Sequence, residues 1–210
     1  MITKTGSRPY RVSRLFLALF LCITIALPLG IGASAEAGII DTGRCGDNLT
    51  WTLYNDGLLE ISGTGPMWDY HFYEDESCPD APWNVHSSKL KTLKLNEGLT
   101  TIGQYAFCVC RGFTGSLTIP GSVKLIGNYA FSGCSGFSGS LVMSNGVSTI
   151  GFAAFSGCSF TGCLSIPASV TTIAGEAFYN CSGFRGEGRR GETLEQHEQH
   201  GDGADHVPGA

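Results

Sequence analysis

From Leu93 to about Gly186 the apolar and polar positions of the chain repeat four times. A block of the form hydrophobic-Gly-x-x-Ala-Phe occupies Ile102 to Phe107, then Ile126 to Phe131, Ile150 to Phe155 and, with Ala174 in the glycine place, Ile173 to Phe178, at steps of 24, 24 and 23 residues. Leu93, Leu117, Leu141 and Leu164 open the units. Leu99, Val123, Val147 and Val170 follow, then Cys110, Cys134, Cys158 and Cys181, and Phe113, Phe137, Phe160 and Phe184 close them. The shorter step has a visible cause: Cys134-Ser135-Gly136-Phe137 becomes Cys158-Ser159-Phe160, and one loop glycine is gone. In Leu93-Lys94-Leu95, Leu117-Thr118-Ile119, Leu141-Val142-Met143 and Leu164-Ser165-Ile166 the outer residues are apolar and the centre varies. That alternation predicts a short strand with its outer positions turned inward. Pro120 and Pro167 stop the strands, because proline cannot donate to a ladder. The Ile-Gly-x-x-Ala-Phe block predicts a tight turn leading into one helical or 3₁₀ turn that carries Ala and Phe into the core.

A 24-residue unit cannot bury its own apolar side chains, so successive units must stack and share one core. A period of this length is that of leucine-rich-repeat solenoids. The predicted fold is therefore a β-rich solenoid of leucine-rich-repeat type with about four coils of 23–24 residues. With strands about 4.8 Å apart, the stack is only about 20 Å long. The phrase Leu117-Thr118-Ile119-Pro120-Gly121-Ser122-Val123-Lys124-Leu125-Ile126-Gly127-Asn128-Tyr129-Ala130-Phe131-Ser132-Gly133-Cys134-Ser135 and its copies resemble the BspA-like leucine-rich repeats of bacterial and protist surface proteins. The stretch from Cys45 to Leu53, with Asp56-Gly57, Ile61 to Gly65 and Ala81-Pro82-Trp83, looks like the segment that often precedes such repeats. The resemblance covers about residues 43–184 and implies surface adhesion or host-protein binding.

Residues 36–92 carry β signals but are too few and too glycine-rich for a large independent domain. Leu49, Trp51 and Leu53 alternate, Asn55-Asp56-Gly57 is a hairpin turn, and Leu59 and Ile61 alternate on the return strand. The first coil of a stack exposes an apolar end. A β-hairpin with Trp51, Trp68 and Trp83 nearby is expected to cap it, in preference to forming a separate recognition module. Glu74, Asp75, Glu76 and Asp80 lie beside His71 but lack the ligand spacing of a calcium loop, so a solvated acidic loop is expected.

Lys4, Arg8, Arg11 and Arg14 precede an apolar run from Leu15 to Leu27, followed by Ala33-Ser34-Ala35. This predicts a signal peptide over residues 1–35, cleaved after Ala35. An uncleaved anchor would need about 20 apolar residues. Export implies a secreted or cell-surface location, with no membrane association after cleavage. Without residues 1–35 the formal charge moves from −5 to −9, since four of the 13 bases and none of the 18 acids are removed. Between Gly112 and Gly175 the only charged residue is Lys124, so the repeats offer no basic stripe for nucleic acid or anionic membrane.

The nine cysteines divide by position. Cys110, Cys134, Cys158 and Cys181 recur with the repeat and are expected to form a buried structural thiol ladder, acting as small hydrophobes. Side chains that point the same way into a core do not readily adopt the disulfide dihedral. Spacings of 23 or 24 do not converge as zinc ligands do, and no metal site is expected. Cys45, Cys78, Cys108 and Cys163 fall off the ladder. Four such cysteines allow three pairings, and Cys45 with Cys78 is a candidate disulfide within the cap. Cys108 and Cys163 stand where other copies have serine, which reads as drift at the surface. Cys22 lies inside the apolar leader run and is expected to leave with it. No catalytic residue emerges: His71, His86, His197, His200 and His206 all lie outside the repeats, and a cysteine nucleophile needs a histidine base within hydrogen-bond reach. No nucleotide loop is present either, so no cofactor is expected.

Past Phe184 the pattern stops, and residues 185–210 contain only Leu194 and Val207 as large aliphatics. A disordered tail is expected, with the chain read as a shortened form of a longer repeat protein whose last residues are in a shifted frame. The uncovered last coil is then expected to pair with another chain. Lys94, Asn96, Thr118, Val142, Ser144 and Ser165 line the strand face and are the ligand-face candidates. This nearly uncharged face suits an extracellular protein or glycan. The alternatives are a structural spacer or remnant without a ligand, and an accessory domain of a secreted hydrolase.

Overall fold

The structure is a computed structural model that describes residues 38–72 and 79–185. The expected leader at 1–35, Cys78, most of the acidic segment and residues 186–210 lie outside the described residues.

Three strands open the fold: β1 (Ile39–Arg44), β2 (Leu49–Tyr54) and β3 (Leu58–Gly63). The sequence alternation holds in β2 and β3, whose Leu49, Trp51, Leu53, Leu59 and Ile61 are buried. Between them Gly57 takes φ +93°, and a Cβ there would lie 2.6 Å from the Lys89 carbonyl, so only glycine fits the turn. The Asp56 carboxylate accepts the Leu58 N–H at 3.0 Å and fixes the return. β1 was not predicted. Its polar Asp41-Thr42-Gly43 centre breaks the alternation, yet it pairs antiparallel with β2 from Ile39↔Tyr54 to Arg44↔Thr50.

β4 (Gly65–Pro66) and a 3₁₀ segment, Pro82–Lys89, lead to the repeats. These supply β5 (Thr92–Leu95), β6 (Leu99–Ile102), β7 (Leu117–Ile119), β8 (Leu125–Ile126), β9 (Leu141–Met143), β10 (Thr149–Ile150) and β11 (Thr172–Ile173). Two parallel columns follow from the period. In the first, β7 pairs β9 with Leu117↔Leu141, Thr118↔Val142 and Ile119↔Met143. In the second, the order β11-β10-β8-β6-β4 gives a five-stranded parallel sheet. Its register runs Ile102↔Ile126, Ile126↔Ile150 and Ile150↔Ile173, so the four isoleucines that define the repeat share one row. β3 pairs parallel with β5, Leu59 opposite Leu93 and Ile61 opposite Leu95, so the return strand of the hairpin lies beside the first strand of the repeats in one four-stranded sheet.

The core is layered by residue type. Phe107, Phe131, Phe155 and Phe178 stack with centroids 5.1, 5.2 and 5.4 Å apart. Phe113, Phe137, Phe160 and Phe184 stack beside them at 5.6, 4.8 and 6.1 Å. Offset aromatic pairs of this kind add about 0.5–1.5 kcal/mol each beyond their buried area. Trp83, fully buried, lies on Phe107 at 5.1 Å and donates its indole N–H to the Ala106 carbonyl at 2.9 Å.

Four local expectations are corrected. The block before each core Phe is no helical turn. Tyr105, Tyr129, Ala153 and Glu176 all have φ between 49° and 58°, and Val109 and Asn180 repeat the left-handed turn at φ 54°. The alternation lets every second N–H point along the stack: Tyr105, Phe107 and Val109 donate to the carbonyls of Asn128, Ala130 and Ser132, at 3.0, 2.7 and 2.7 Å. A helix would spend those donors internally. Coil-to-coil approach is correspondingly close, and a Cβ at Gly127 would fall 2.7 Å from the Gln104 nitrogen. Second, Leu164-Ser165-Ile166 forms no strand, and Ile166 is exposed. Third, Trp51 and Trp83 pack edge to face at 6.0 Å, but Trp68 faces solvent with the Arg44 guanidinium 6.0 Å over its ring. Fourth, Cys108 is buried whereas Ser132 and Ser156 at its place are half-buried. A thiol behaves as a small hydrophobe and is less costly to enclose than a hydroxyl. Cys163 is exposed as expected.

Candidate functional site

The strand face is built by the two-residue side-chain period. In β7 and β9 the outer residues are buried and the centres, Thr118 and Val142, are exposed and in register. Ser165 is exposed and Ser144 half-buried, its N–H given to the Ile119 carbonyl at 3.1 Å. Lys94 and Asn96 belong to a different environment. Lys94 Nζ lies 2.8 Å from Glu60 Oε1, Asn96 Nδ2 donates to the same oxygen at 2.9 Å and to Ser62 Oγ at 2.8 Å, and the Tyr54 hydroxyl donates to Glu60 Oε2 at 3.2 Å. The Glu60 side chain is only 17% exposed, and the Lys94 ammonium, followed by the Asn96 amide, holds its carboxyl below the usual carboxylate range. Lys94 is raised in turn by Glu60. The face thus has two parts: a charged network already satisfied within the chain near β3 and β5, and, from β7 onward, a nearly uncharged surface bordered by Glu97, whose carboxylate accepts the Gly121 and Ser122 N–H groups at 3.3 and 3.2 Å.

The thiol column is brought together as the spacing implies. Cys134, Cys158 and Cys181 each donate S–H to the main-chain carbonyl of the core phenylalanine one unit back, Phe107, Phe131 and Phe155, at 2.9, 3.1 and 3.0 Å. Cys110 has no such phenylalanine before it and donates to Asn84 Oδ1 at 3.3 Å. Asn84 is itself buried and fixed by its Nδ2 donating to the Pro79 carbonyl at 2.8 Å. Burial pushes Cys134 well above the ordinary thiol value, and pushes Cys108 and Cys181 up to about 11 and Cys45 up to about 12. These groups are hydrogen-bond donors and packing atoms at neutral pH, since nucleophilicity and metal ligation belong to the thiolate. Among the described residues no three His, Cys, Asp or Glu side chains are grouped to hold a metal ion. Cys45 is buried, and Cys78, with which it was matched, lies outside the described residues. Of the histidines, His86 Nε2 lies 2.9 Å from Asp41 Oδ2 and His71 Nδ1 lies 3.8 Å from Asp80 Oδ2, both pairs outside the repeats.

A third feature escaped the sequence reading. On the turn side, Phe72, Tyr105, Tyr129 and Phe152 form a partly exposed aromatic row with centroids 6.1, 4.9 and 5.5 Å apart. The two tyrosine rings are parallel within 3°, and Phe152 turns 67° from Tyr129. Its members come from different sequence positions: the two tyrosines from one place in the repeat, Phe152 from the place before it, and Phe72 from outside the repeats. The period places the two tyrosines over one another but gives no sign of Phe72 or Phe152.

Residues 85–185 match the family model of the BspA type leucine rich repeat region, in six copies. The repeat region, residues 85–185 of the 210, is of that type. The BspA-type match begins just after Trp83 and ends with the last described residue. Among solved structures, the chain is similar to a leucine-rich repeat protein from Eubacterium ventriosum at 26% identity and a TM-score of 0.52, covering 69% of this chain and 42% of that one. It is also similar to a leucine-rich repeat protein from Bacteroides ovatus at 28% identity, TM-score 0.44, covering 66% and 39%. The third is a leucine rich cell surface protein from Faecalibacterium prausnitzii at 18% identity, TM-score 0.39, covering 73% and 55%. The chain therefore spans less than two thirds of the length of these proteins. No curated protein matches it. Among the described residues no helix is long and apolar enough to cross a membrane.

Proposed function

We propose that this BspA-type chain is an exported binding protein without catalytic activity: about four coils, capped at their N-terminal end by the β1–β3 sheet, present a strand face to an extracellular protein or to a cell surface. The observation that carries the reading is the pairing Thr118↔Val142, two exposed strand centres held in register between buried neighbours on a nearly uncharged surface. A flat, rigid, hydroxyl-bearing and weakly apolar surface recognises by shape and neutral hydrogen bonds, because long-range charge steering is unavailable to it. Ser144 and Ser165 extend the surface toward the last coil. Lys94 and Asn96 border it and contribute position rather than contacts, since their polar groups are already paired with Glu60 and Ser62. The last coil, with Ile166, Ile173 and Tyr179 exposed, is the place where a second copy would dock.

The test is retention of extracellular-matrix proteins on the immobilised full chain, compared with a Thr118→Arg/Val142→Arg double variant. Both positions are exposed, so the variant is expected to fold, and circular dichroism checks that. Capture by the unmodified chain that the double variant loses supports the reading. Capture of nothing by either, with the fold intact, leaves a structural spacer and overturns it.

A further inference from the structure

We propose that the aromatic row of Phe72, Tyr105, Tyr129 and Phe152 is a second binding surface, separate from the strand face, and that its ligand is an extended uncharged glycan lying along the stack.

The row is not a by-product of the repeat. If it were, the residues would occupy equivalent places. Instead the third aromatic is supplied by Phe152, where the earlier units have Gln104 and Asn128, while the tyrosine place has become Ala153. The first comes from a segment with no repeat pattern at all. That segment is held alongside the first unit by the Tyr70 N–H to the Gln104 carbonyl at 2.9 Å and the Gln104 N–H to Asp69 Oδ1 at 2.7 Å. Three unrelated places thus converge on one line.

The chemistry of the ligand follows from charge, shape and repetition. From Gly112 to Gly175 the only charge is Lys124, and the acids that the described residues place beside the row are Asp69, whose carboxylate accepts the Gln104 N–H, and Glu176, which follows Ala153 in the tyrosine place of the next unit. An anionic partner therefore gains nothing here. Two of the four rings carry phenolic hydroxyls, and because the tyrosines stack face to face a ligand lying along the stack meets C–H ring edges beside hydrogen-bond donors, which suits pyranose rings with their apolar C–H positions and hydroxyls. Successive rings lie 4.9–6.1 Å apart, one strand step each, and a pyranose advances an extended chain by a comparable length. A surface that repeats by translation is matched by a ligand that repeats by translation. Polysaccharides do so.

The full chain is run in native gels containing neutral soluble polysaccharides (glucomannan, xylan, mixed-linkage glucan, galactan), and any that retards it is followed by calorimetry with its hexasaccharide. Two variants borrow residues from the repeat itself: Tyr129→Ala, as at 153, and Phe152→Asn, as at 128. Each should keep the fold, checked by circular dichroism, and each should weaken binding about threefold to tenfold, the worth of one lost aromatic contact. Tyr129→Phe should retain binding within about twofold by the same measure. Retardation by at least one neutral glycan, with this pattern of losses, supports the proposal. Retardation by none, equal binding by folded Tyr129→Ala, or loss of glycan binding only on Thr118→Arg/Val142→Arg overturns it. Since protein capture through the strand face is read in a separate assay, the two surfaces fail or hold independently.

Discussion

Replacing Phe131 by alanine tests whether the core is held as a stack in which each unit depends on both neighbours. Phe131 is fully buried, with Phe107 5.1 Å away on one side and Phe155 5.2 Å away on the other, the latter within 1° of parallel. Truncating a buried phenylalanine costs about 3–5 kcal/mol, cavity included. Two stacked contacts of about 0.5–1.5 kcal/mol each place this site toward the upper end of that range. Phe178 occupies the same place in the last unit but is only half-buried. It stacks on one side, against Phe155 at 5.4 Å, and meets Phe184 edge-on at 6.2 Å. With one stacked neighbour among the described residues and part of its surface already in water, Phe178→Ala should cost about half as much, roughly 2 kcal/mol.

Urea unfolding followed by circular dichroism reads the difference. With a slope of about 1–3 kcal/mol per molar for a chain of this size, a gap of about 2 kcal/mol moves the midpoint of Phe131→Ala about 1 M below that of Phe178→Ala. Domains of this kind hold about 5–15 kcal/mol in total, so Phe131→Leu accompanies the alanine variant as a milder truncation that should fold. Equal midpoints for the interior and terminal variants, or a larger loss at Phe178, would refute stacking as the source of stability.

Other consequences are more local. Glu60 has its carboxyl pKa lowered in the fold, first by Lys94, so its stabilising contribution is complete above the unfolded value near 4.3 and is lost as pH falls through the lower folded value; the urea midpoint should drop across that acidic window, and less so in Glu60→Gln. A thiol reagent at pH 8 should label exposed Cys163 rapidly and Cys134 only as the protein unfolds, and prompt labelling of Cys134 in the native state would contradict its burial. Val109 is β-branched at φ 54°, where two other units have Gly133 and Gly157, so Val109→Gly should be stabilising by up to about 1 kcal/mol, and a clear loss on thermal melting would show that the valine side chain holds the turn.

The repeat columns were legible because each depends on one side-chain direction preserved at a fixed period. Ile102, Ala106, Phe107, Cys110 and Phe113 needed only their copies to be placed inside, and all five are buried. The parallel register of β6, β8, β10 and β11 follows from the same period. What escaped was whatever breaks periodicity or hides in backbone conformation. Tyrosine and valine carry no left-handed preference, so Tyr105 and Val109 gave no hint that the turns alternate hand; only Gly133, Gly157 and Asn180 did, and they read as loop residues. The Glu60 network was hidden because Lys94 and Asn96 look like free surface until β3 is placed beside β5. Trp83 stands 24 residues before Phe107, so the period did announce it, but Pro82 and Asn84 around it share nothing with the later copies.

The N-terminal end is therefore better understood as substitution than as covering. A lid needs only apolar surface, whereas here each column is continued by a residue of different origin. β3 takes the place of an opening strand, β4 that of the second, Trp83 that of the core phenylalanine, and Asn84 Oδ1 that of the carbonyl to which every later ladder thiol donates. The asparagine does this with its side chain: its carbonyl accepts the Cys110 S–H, and its amide is anchored on the Pro79 carbonyl at 2.8 Å. Because the substitutes match the columns in direction as well as polarity, the first unit has one register available to it. An apolar lid that could slide would leave the Cys110 donor and the Phe107 ring to find partners by chance. At the opposite end Ile173 is exposed and Phe178 half-buried, with no comparable replacement among the described residues, and that asymmetry is why truncations should cost more at the centre of the stack than at its last coil.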